Sequence, residues 1–375
     1  MCEEDLFAVM SQPENILVRG VNWLGDAVMT TPALQRLREA KPSARITLLT
    51  TDKLADLWEG QPYLDEVMTF NKDEGVAGIS RRLRKKKFTA SIAFPNSIRS
   101  AMEMWLARIP QRVGLKSSGR SLLLSQAMDL PAGAQMMRKR SDDEIKRLIE
   151  DNAKPEVFPT SSHQAHHYLH LVTALGASAK PIAPRIVVSD WAMDSVRGRF
   201  GIDAGEDHPW FGLNPGAEYG PAKRWPAENF IEAANDLQRR TGCRWLIFGA
   251  KADHELAAAI ARGIQTTSAV NLAGKTTLRE LVAALKLCRL LISNDTGPTH
   301  LAAAVGAPVV VPYGSTSPEL TGPFFCANSK IVRFQTPCAP CFLPTCPVDF
   351  RCMKKISADM VVEAAMEIYN ATKKP

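Results

Sequence analysis

Short runs of aliphatic and β-branched residues alternate along the chain with longer amphipathic stretches, and this alternation constrains the fold most. Strands that alternate with helices are typical of parallel sheets covered by helices on both faces. The pattern begins near residue 16, is interrupted by a polar segment at about 150–185, and restarts at residue 210. The predicted strands are ILVRG (16–20), ARITLLT (44–50), EVMTF (66–70), TASIAF (89–94), WFGLNPG (210–216), RWLIFGA (244–250), AVNLAG (269–274), RLLISND (289–295) and PVVVPYG (308–314).

The residues therefore predict an α/β protein with two successive parallel-sheet domains. A chain of 375 residues is long enough for two domains of ordinary size, and 45% hydrophobic residues supply a core for each. The final stretch, SADMVVEAAMEIYNAT, predicts one terminal helix. Ligands of open parallel sheets bind outside the carboxyl ends of the strands, so two such sheets predict a site in the cleft between them.

The charge of the chain bears on its partners. Lys and Arg number 46 against 39 Asp and Glu, and this net charge of +7 favours nucleotides, phosphorylated lipids or a membrane surface. The sequence has no basic motif interleaved with aromatic residues, so no nucleic acid is predicted as a partner. MCEEDLFAVMSQPEN at the start does not resemble a secretory signal, and no segment approaches the roughly 20 apolar residues of a membrane span. We expect a cytoplasmic protein that touches a membrane peripherally at most.

The turn after the first predicted strand, within VRGVNWLGDAVMTTP, has the glycine spacing of a phosphate-binding P-loop. Gly20 and Gly25 bracket four residues as in G-x-x-x-x-G-K-[ST], but Asp26 replaces the lysine and Ala27 the hydroxyl residue. A carboxylate at this position would repel phosphates. Two interpretations of Asp26 remain open at this point, a helix N-cap and a catalytic group.

A second loop, NPGAEYGPAKRWP, follows the strand that begins at Trp210. It presents Lys223 just before a helix predicted to start near Pro226, where a lysine can neutralise a phosphate. The alternative is an ordinary solvated lysine.

A third loop, SNDTGPTHLAAAVG, ends a strand and opens a helix, with Pro298 in the first helical turn. Backbone N–H groups of Thr296 and Gly297 could cradle a diphosphate, and His300 would face the ligand. The alternatives are a capping role for Asp295 and a buried polar contact for His300.

Four cysteines near the C-terminus have the spacing C-x2-C-x4-C-x5-C in a proline-rich loop. Clustered thiols in a cytoplasmic protein favour a metal over disulfides, with zinc as the first interpretation, an iron–sulfur cluster as the second, and four free thiols as the alternative. The histidines of HQAHHYLHLV (163–172) instead predict a partly exposed helix face. The cysteines are Cys338, Cys341, Cys346 and Cys352.

Taken together, these loops resemble the ADP-heptose:lipopolysaccharide heptosyltransferases, a family with the GT-B fold, and its heptosyltransferase II branch most closely. The sequence has neither G-x-G-x-x-G after the first strand nor a D-x-D motif, which disfavours a nicotinamide-binding enzyme and a metal-chelating sugar transferase. The matching stretches follow one another between about residues 16 and 320. They are WLGDAVMTTPAL, FPNSIRSA, PGAEYGPAKRWP, the GAKADHE region, NLAGKTTLRELVAAL and SNDTGPTHLAAA through VVPYGSTSP.

The resemblance implies two Rossmann-like domains facing a central cleft, an acceptor-binding domain at 1–180 and a nucleotide-sugar-binding domain at 181–375 with the cysteine-rich loop 338–352. It implies transfer of L-glycero-D-manno-heptose from ADP-heptose to the first heptose of the lipopolysaccharide inner core, with inversion and without a catalytic cofactor. It also implies a cytoplasmic enzyme that can contact the inner membrane peripherally. The alternatives are heptosyltransferase I acting on Kdo-lipid A, a GT-B-like sugar-nucleotide 2-epimerase, and a nucleotide-sugar-binding module without catalysis.

Carried onto this sequence, the base proposed for the family falls on Asp26 and its phosphate-binding lysine on Lys223. An inverting transfer needs a base on the acceptor side and positive charge at the departing diphosphate, so the two groups have separate roles. The implied diphosphate-binding loop comprises Asp295, Thr296, Gly297 and His300.

Basic residues of the N-terminal half are predicted to fall into two groups. Arg99, Lys116 and Arg120 follow strand ends and are predicted to bind phosphates of the acceptor, whereas RRLRKKK (81–87) predicts a solvated helix end.

Overall fold

The computed structural model describes residues 14–117, 119–203, 208–265 and 269–372. The segment 1–13, which contains most of the stretch judged not to be a secretory signal, lies outside the described residues. Within the described ranges, no helix is both long enough and apolar enough to span a bilayer.

The described residues form twelve strands in two six-stranded sheets, and all neighbouring strands are parallel. The first sheet contains β1 (Asn15–Arg19), β2 (Arg45–Thr51), β3 (Glu66–Phe70), β4 (Ala90–Ala93), β5 (Gln111–Leu115) and β6 (Gln126–Met128). The second contains β7 (Trp210–Asn214), β8 (Arg244–Ile247), β9 (Ala269–Asn271), β10 (Leu290–Ser293), β11 (Val309–Tyr313) and β12 (Ser329–Arg333).

The strand orders are β3-β2-β1-β4-β5-β6 and β12-β11-β10-β7-β8-β9. Both are the order of doubly wound nucleotide-binding sheets, in which the winding direction reverses beside the first strand of the sheet. In the second sheet this reversal lies between β7 and β10, so the loops that leave these two strands open side by side. The predicted α/β fold with parallel sheets is confirmed.

The helices alternate with the strands as predicted, and their ends carry recognisable caps. Thr277 and Glu280 form a capping box: the Thr277 hydroxyl accepts from the Glu280 N–H at 3.2 Å, and the Glu280 carboxylate accepts from the Thr277 N–H at 2.8 Å. The helices are α1 (Leu24–Met29), α2 (Thr31–Ala40), α3 (Ala55–Trp58), α4 (Val76–Lys85), α5 (Ile98–Leu106), α6 (Asp142–Glu150), α7 (Ala165–Val172), α8 (Asp190–Phe200), α9 (Ala227–Thr241), α10 (His254–Gly263), α11 (Leu278–Leu287), α12 (Gly297–Ala304), α13 (Pro318–Thr321), α14 (Arg351–Lys354) and α15 (Ala358–Thr372).

Each sheet packs against its helices through a core of its own. In the first sheet, Leu17 and Leu49 are buried with Met104 of α5. In the second, the Phe211 ring meets Trp245 edge-on at 5.7 Å and Tyr369 of α15 at 5.3 Å. The predicted terminal helix therefore closes the second core.

The chain forms two compact units. The first contains the residues up to 22, 30–132 and 165–181, and the second contains 23–29, 133–164 and the residues from 182 onward. The last passage between the units lies beside the predicted boundary at residue 180. Two segments that precede this boundary nevertheless group with the second unit, and one of them is α1, which carries Asp26.

Candidate active site

The loops after β7 and β10 are hydrogen-bonded to each other at the point where the second sheet reverses its winding. Asn214 pairs in register with Ser293, and its side-chain amide donates to the Ser293 hydroxyl at 3.0 Å. The Asn294 amide donates to the Pro215 carbonyl at 2.7 Å and accepts from the Trp225 N–H at 3.0 Å. Asn294 thereby holds the β7 loop at both its beginning and its end.

Lys223 lies in this joined region and is not an ordinary solvated lysine. Its ammonium donates to the Asp295 carboxylate at 2.5 Å, and only 15% of its side chain is exposed. It also lies 5.1 Å from the centre of the Tyr219 ring, a cation–π distance. Tyr219 is in turn fixed by a hydrogen bond from its hydroxyl to the Phe342 carbonyl at 2.6 Å. The position of the ammonium is therefore defined from two sides.

Asp295 is buried and accepts three side-chain hydrogen bonds, so it acts as the anchor of Lys223 rather than as a simple cap. Besides Lys223, the Tyr313 hydroxyl donates to it at 2.8 Å and the Thr316 hydroxyl at 2.7 Å. Burial alone would raise the pKa of Asp295, but the charge and hydrogen bond of Lys223 bring it below its ordinary value. Sequence reasoning missed Tyr313 and Thr316, although both lie in the VVPYGSTSP stretch.

The beginning of α12 adds backbone donors to the site. Thr296 is the N-cap residue, Gly297 the first helical residue, and Pro298 follows at the second position. No acceptor in the described part of the chain takes a hydrogen bond from the N–H of Thr296 or Gly297. Such N–H groups at a helix start are suited to bind an anion.

His300 is buried and neutral, and its predicted contact with the ligand stays a prediction. Burial lowers its pKa to about 4; Asp295 opposes this shift and Lys223 adds to it. Its ring lies against α1, because a Cβ built on Gly25 would come within 2.9 Å of the His300 Cδ2. His300 therefore supplies no positive charge at neutral pH and instead packs α12 against α1.

Asp26 is the third residue of α1, so it is not the N-cap that the sequence allowed. An acidic side chain in the first turn still interacts favourably with the helix dipole. The side chain is partly buried, and burial raises its pKa to about 6, although the positive charge of Lys223 lowers it. No donor in the described chain reaches its carboxylate with a hydrogen bond. Asp26 is thus an ionisable group of raised basicity, within electrostatic reach of Lys223.

A family model described as glycosyltransferase family 9 (heptosyltransferase) matches residues 76–350. The chain belongs to glycosyltransferase family 9. The predicted enzyme class, a sugar-nucleotide-dependent glycosyltransferase, and the predicted family are therefore confirmed.

Known relatives of this family 9 glycosyltransferase match along most of its length. It is 29% identical to lipopolysaccharide heptosyltransferase 2 of Salmonella typhimurium over 86% of this chain and 88% of the relative. It is 30% identical to lipooligosaccharide heptosyltransferase 2 of Haemophilus ducreyi over 82% and 85%. The solved structure of E. coli ADP-heptose lps heptosyltransferase II matches with a TM-score of 0.74 and 25% identity, over 95% of this chain and 99% of that one.

The three residues predicted to bind the acceptor lie in the first unit of the family 9 chain. Arg99 already has partners within that unit: its guanidinium forms an ion pair with Glu103 at 3.0 Å and donates to the Glu74 carbonyl at 2.6 Å. Lys116 is exposed and lies 3.4 Å from the Asp129 carboxylate.

Arg120 is fully buried, and no carboxylate among the described residues pairs with it. Its Nη1 donates to the Asn96 side chain at 3.1 Å and to the Leu115 carbonyl at 3.0 Å, whereas Nε and Nη2 have no partner in the described chain. Burial lowers its pKa to about 10. Of the three predicted residues, Arg120 has the clearest unused hydrogen-bonding capacity.

The four clustered cysteines line one small cavity of about 20 Å³. No group of three or more His, Cys, Asp or Glu side chains in the described ranges is placed to hold a metal ion. Burial raises the pKa of Cys352 to about 12 and that of Cys341 above its usual range, and the neighbouring cysteines add to both shifts. Cys338 and Cys341 instead pack against Ile145 of α6. The structure therefore gives the zinc or iron–sulfur prediction no support.

Proposed function

We propose that this glycosyltransferase transfers L-glycero-D-manno-heptose from ADP-heptose to the first heptose of the lipopolysaccharide inner core, with inversion at the anomeric carbon. The observation that carries the proposal is the placement of Asp26. A partly buried carboxylate with a pKa of about 6 lies in the same unit as a lysine and a helix start suited to a diphosphate. Relatives named heptosyltransferase 2 support the choice of donor and acceptor.

The donor binds through its diphosphate to the second unit. The Lys223 ammonium and the N–H groups of Thr296 and Gly297 stabilise the negative charge that develops on the leaving ADP. Asp295 is a positioning residue, because its carboxylate fixes the ammonium and is itself fixed by Tyr313 and Thr316. The neutral His300 ring packs against Gly25 of α1, so it would meet the diphosphate as an uncharged group.

In the transfer step, an acceptor hydroxyl attacks the anomeric carbon on the face opposite the diphosphate. The bond from that carbon to the diphosphate oxygen breaks, and its electron pair leaves with ADP. The hydroxyl proton passes to the Asp26 carboxylate, which is ionised at neutral pH and more basic than an exposed aspartate. The products are the extended saccharide, ADP and protonated Asp26.

The acceptor binds to the first unit, whose basic residues meet the anionic groups of the inner core. Lys116 offers an exposed positive charge to these groups. Arg99 is partly exposed beside its ion pair with Glu103, and Arg120, which is fully buried, holds the side chain of Asn96 in place. Because this acceptor is lipid-linked, we place the enzyme at the cytoplasmic face of the inner membrane as a peripheral protein.

The test is release of ADP from ADP-heptose in the presence of defined acceptors. We expect release with a core acceptor that carries one heptose, and the product should gain one heptose in mass. Release only with heptose-free Kdo-lipid A would assign the first transfer instead. Epimerised sugar nucleotide without acceptor, or binding without turnover under all conditions, would contradict the proposal and favour an epimerase or a binding module.

A further inference from the structure

Helix α5 of the first unit carries an exposed apolar stripe in addition to its buried face. Met104 and Ala101 face the core, whereas Ile98, Met102 and Trp105 recur at helical spacing and are 52%, 36% and 48% exposed. The short helical turn that contains Leu122 packs beside α5, and Leu122 is 89% exposed. Three exposed apolar side chains on one helix face, with a fourth on the turn packed beside that helix, are characteristic of an interaction surface.

The C-terminal end of the stripe opens into a basic groove of about 480 Å³. Trp105 lines this groove together with three arginines, Arg84 of α4, Arg108 and Arg112. Arg84 donates to the Leu106 carbonyl and Arg112 to the Leu123 carbonyl, so both side chains are held at the groove by neutral acceptors. No carboxylate of the described residues pairs with any of the three arginines, and their positive charges remain uncompensated.

We propose that this surface, defined as Ile98, Met102, Trp105 and Leu122 with the groove of Arg84, Arg108 and Arg112, docks the enzyme on an anionic phospholipid bilayer. The apolar side chains would enter the boundary between headgroups and acyl chains, and the arginines would bind lipid phosphates. A short amphipathic helix with basic residues beside an aromatic anchor has the physical properties that interfacial binding requires.

The combination of chemistries favours a bilayer over other occupants. A soluble phosphate compound would use the arginines but leave the stripe of α5 exposed to water. Trp105 adjoins both parts, and an indole is stable at the membrane interface because it has an apolar body and a polar N–H. Arginine stems can lie along the apolar surface while their heads reach the phosphates. The inference rests on the peripheral membrane placement proposed above and assigns it to a surface outside the Asp26–Lys223 site, so its test does not require the transfer reaction.

Vesicle co-sedimentation of the whole chain without ADP-heptose and without saccharide acceptor tests the inference. The enzyme should bind phosphatidylcholine vesicles containing 30% phosphatidylglycerol, chosen here as about one anionic lipid in three, and bind pure phosphatidylcholine weakly. Trp105→Ser should weaken binding at least about tenfold through loss of the buried indole, and Arg108→Gln about fivefold through loss of one charge. Raised salt should reduce the arginine effect more than the tryptophan effect.

Matched controls distinguish this surface from general stickiness and from unfolding. Trp191 is 66% exposed in the second unit, and Arg147 is exposed there without an ion pair in the described chain. Trp191→Ser and Arg147→Gln should bind like the wild type, and all four variants should keep the wild-type melting temperature. Brominated phosphatidylglycerol should quench tryptophan emission in the wild type and in Trp191→Phe, but much less in Trp105→Phe.

Three results would overturn the inference. One is wild-type binding that does not depend on anionic lipid. Another is unchanged binding of folded Trp105→Ser and Arg108→Gln. The third is binding that appears only when lipopolysaccharide acceptor is added to the vesicles, which would assign the surface to the acceptor.

Discussion

Asp26 is ionised at neutral pH even though burial raises its pKa to about 6. A base must be deprotonated to accept the hydroxyl proton, so we expect kcat to fall as the pH decreases through about 6 and to be constant above about 7. The measurement is kcat at saturating ADP-heptose and acceptor from pH 5 to 8. A flat profile across this range, with the enzyme folded throughout, would separate Asp26 from proton transfer.

Lys223 and Asp295 form a buried ion pair, so replacing either residue also changes the environment of the other. Lys223→Ala removes a charge-assisted contact to the diphosphate and should lower kcat/KM for ADP-heptose by about 10- to 100-fold. It also leaves Asp295 without its cation, and we expect a loss of about 3 kcal/mol in the free energy of unfolding.

The double variant Lys223→Met/Asp295→Asn separates the two effects of this pair. Neither replacement is charged, so stability should return towards that of the wild type while transfer stays slow. Steady-state kinetics and thermal unfolding on the same preparations give both answers. Wild-type kcat/KM in Lys223→Ala would remove the lysine from donor binding.

The candidate site residues that sequence could indicate are those at strand ends with glycine turns. Asp26, Lys223 and Asp295 are indicated this way, and their roles stay predictions, whereas the contact of Lys223 with Asp295 comes from the structure. The neutrality of His300 could not be predicted, because it results from burial against α1. Nor could the anchoring of Asp295 by Tyr313 and Thr316, because those hydroxyls come from the neighbouring β11 loop, and only the packed sheet brings them together.

Two glycines allow α1 and α12 to approach closely. A Cβ on Gly25 would meet the His300 ring, and a Cβ on Gly297 would lie 2.9 Å from atoms of the Leu24 side chain. The second glycine of the P-loop-like spacing therefore allows α1 to pack against α12. Asp26 follows this contact directly, so its position depends on the approach of the two helices.

Gly25→Ala tests this dependence at the level of the two elements. The added methyl group must displace the buried His300 ring or α1, and overpacking of this kind costs about 1–3 kcal/mol. We expect lower stability together with a reduced kcat. Gly75→Ala is the control, because nothing lies within 4 Å of a Cβ at that position. Equal behaviour of the two variants in thermal unfolding and turnover would argue against the packing account.

The strands that sequence analysis missed share a physical cause. β6 and β12 are edge strands, and β5 lies next to an edge, so none needs the continuous apolar run of a central strand. β6 has only three residues, and most of β12 is partly exposed. Apolar periodicity detects strands that are buried on both faces, which explains why the central strands of both sheets were predicted.

At the scale of the whole molecule, the two units repeat one strand order but carry different chemistry. The second unit contains Lys223, Asp295 and the start of α12, and it also includes α1 with Asp26. The first unit contains the basic residues predicted for the acceptor. The sequence predicts two domains with a boundary at residue 180, but it does not indicate that α1 groups with the second unit, because this grouping arises from the contacts of Gly25 and Gly297.

Transfer should need no divalent metal, because Lys223 and the N–H groups at the start of α12 supply the positive field at the diphosphate. We expect the same rate of ADP release before and after dialysis against EDTA, with elemental analysis for zinc and iron on both samples. A loss of activity that Mg²⁺ restores would contradict this account of the leaving group. A loss of activity that only Zn²⁺ or iron restores would instead indicate a metal site at the cysteine cavity.

The central claim is that Asp26 is the base of an inverting heptosyl transfer, and Asp26→Asn tests it most directly. Asn keeps the shape of the side chain but cannot take the proton. The folded pKa of Asp26 lies above its unfolded value, so protonation of this carboxyl contributes to the stability of the fold. The contribution is fully present below about pH 4 and is lost as the pH rises through 6. At pH 8 the variant should therefore be at least as stable as the wild type.

The decisive measurement is kcat of Asp26→Asn at pH 8, with melting temperature and ADP-heptose affinity determined on the same preparation. We predict wild-type stability or better, donor affinity within a few-fold of the wild type, and a kcat lower by at least about 10²-fold, the usual contribution of a general base. A kcat within a few-fold of the wild type in this folded, donor-binding variant would contradict the account and assign the base to another residue.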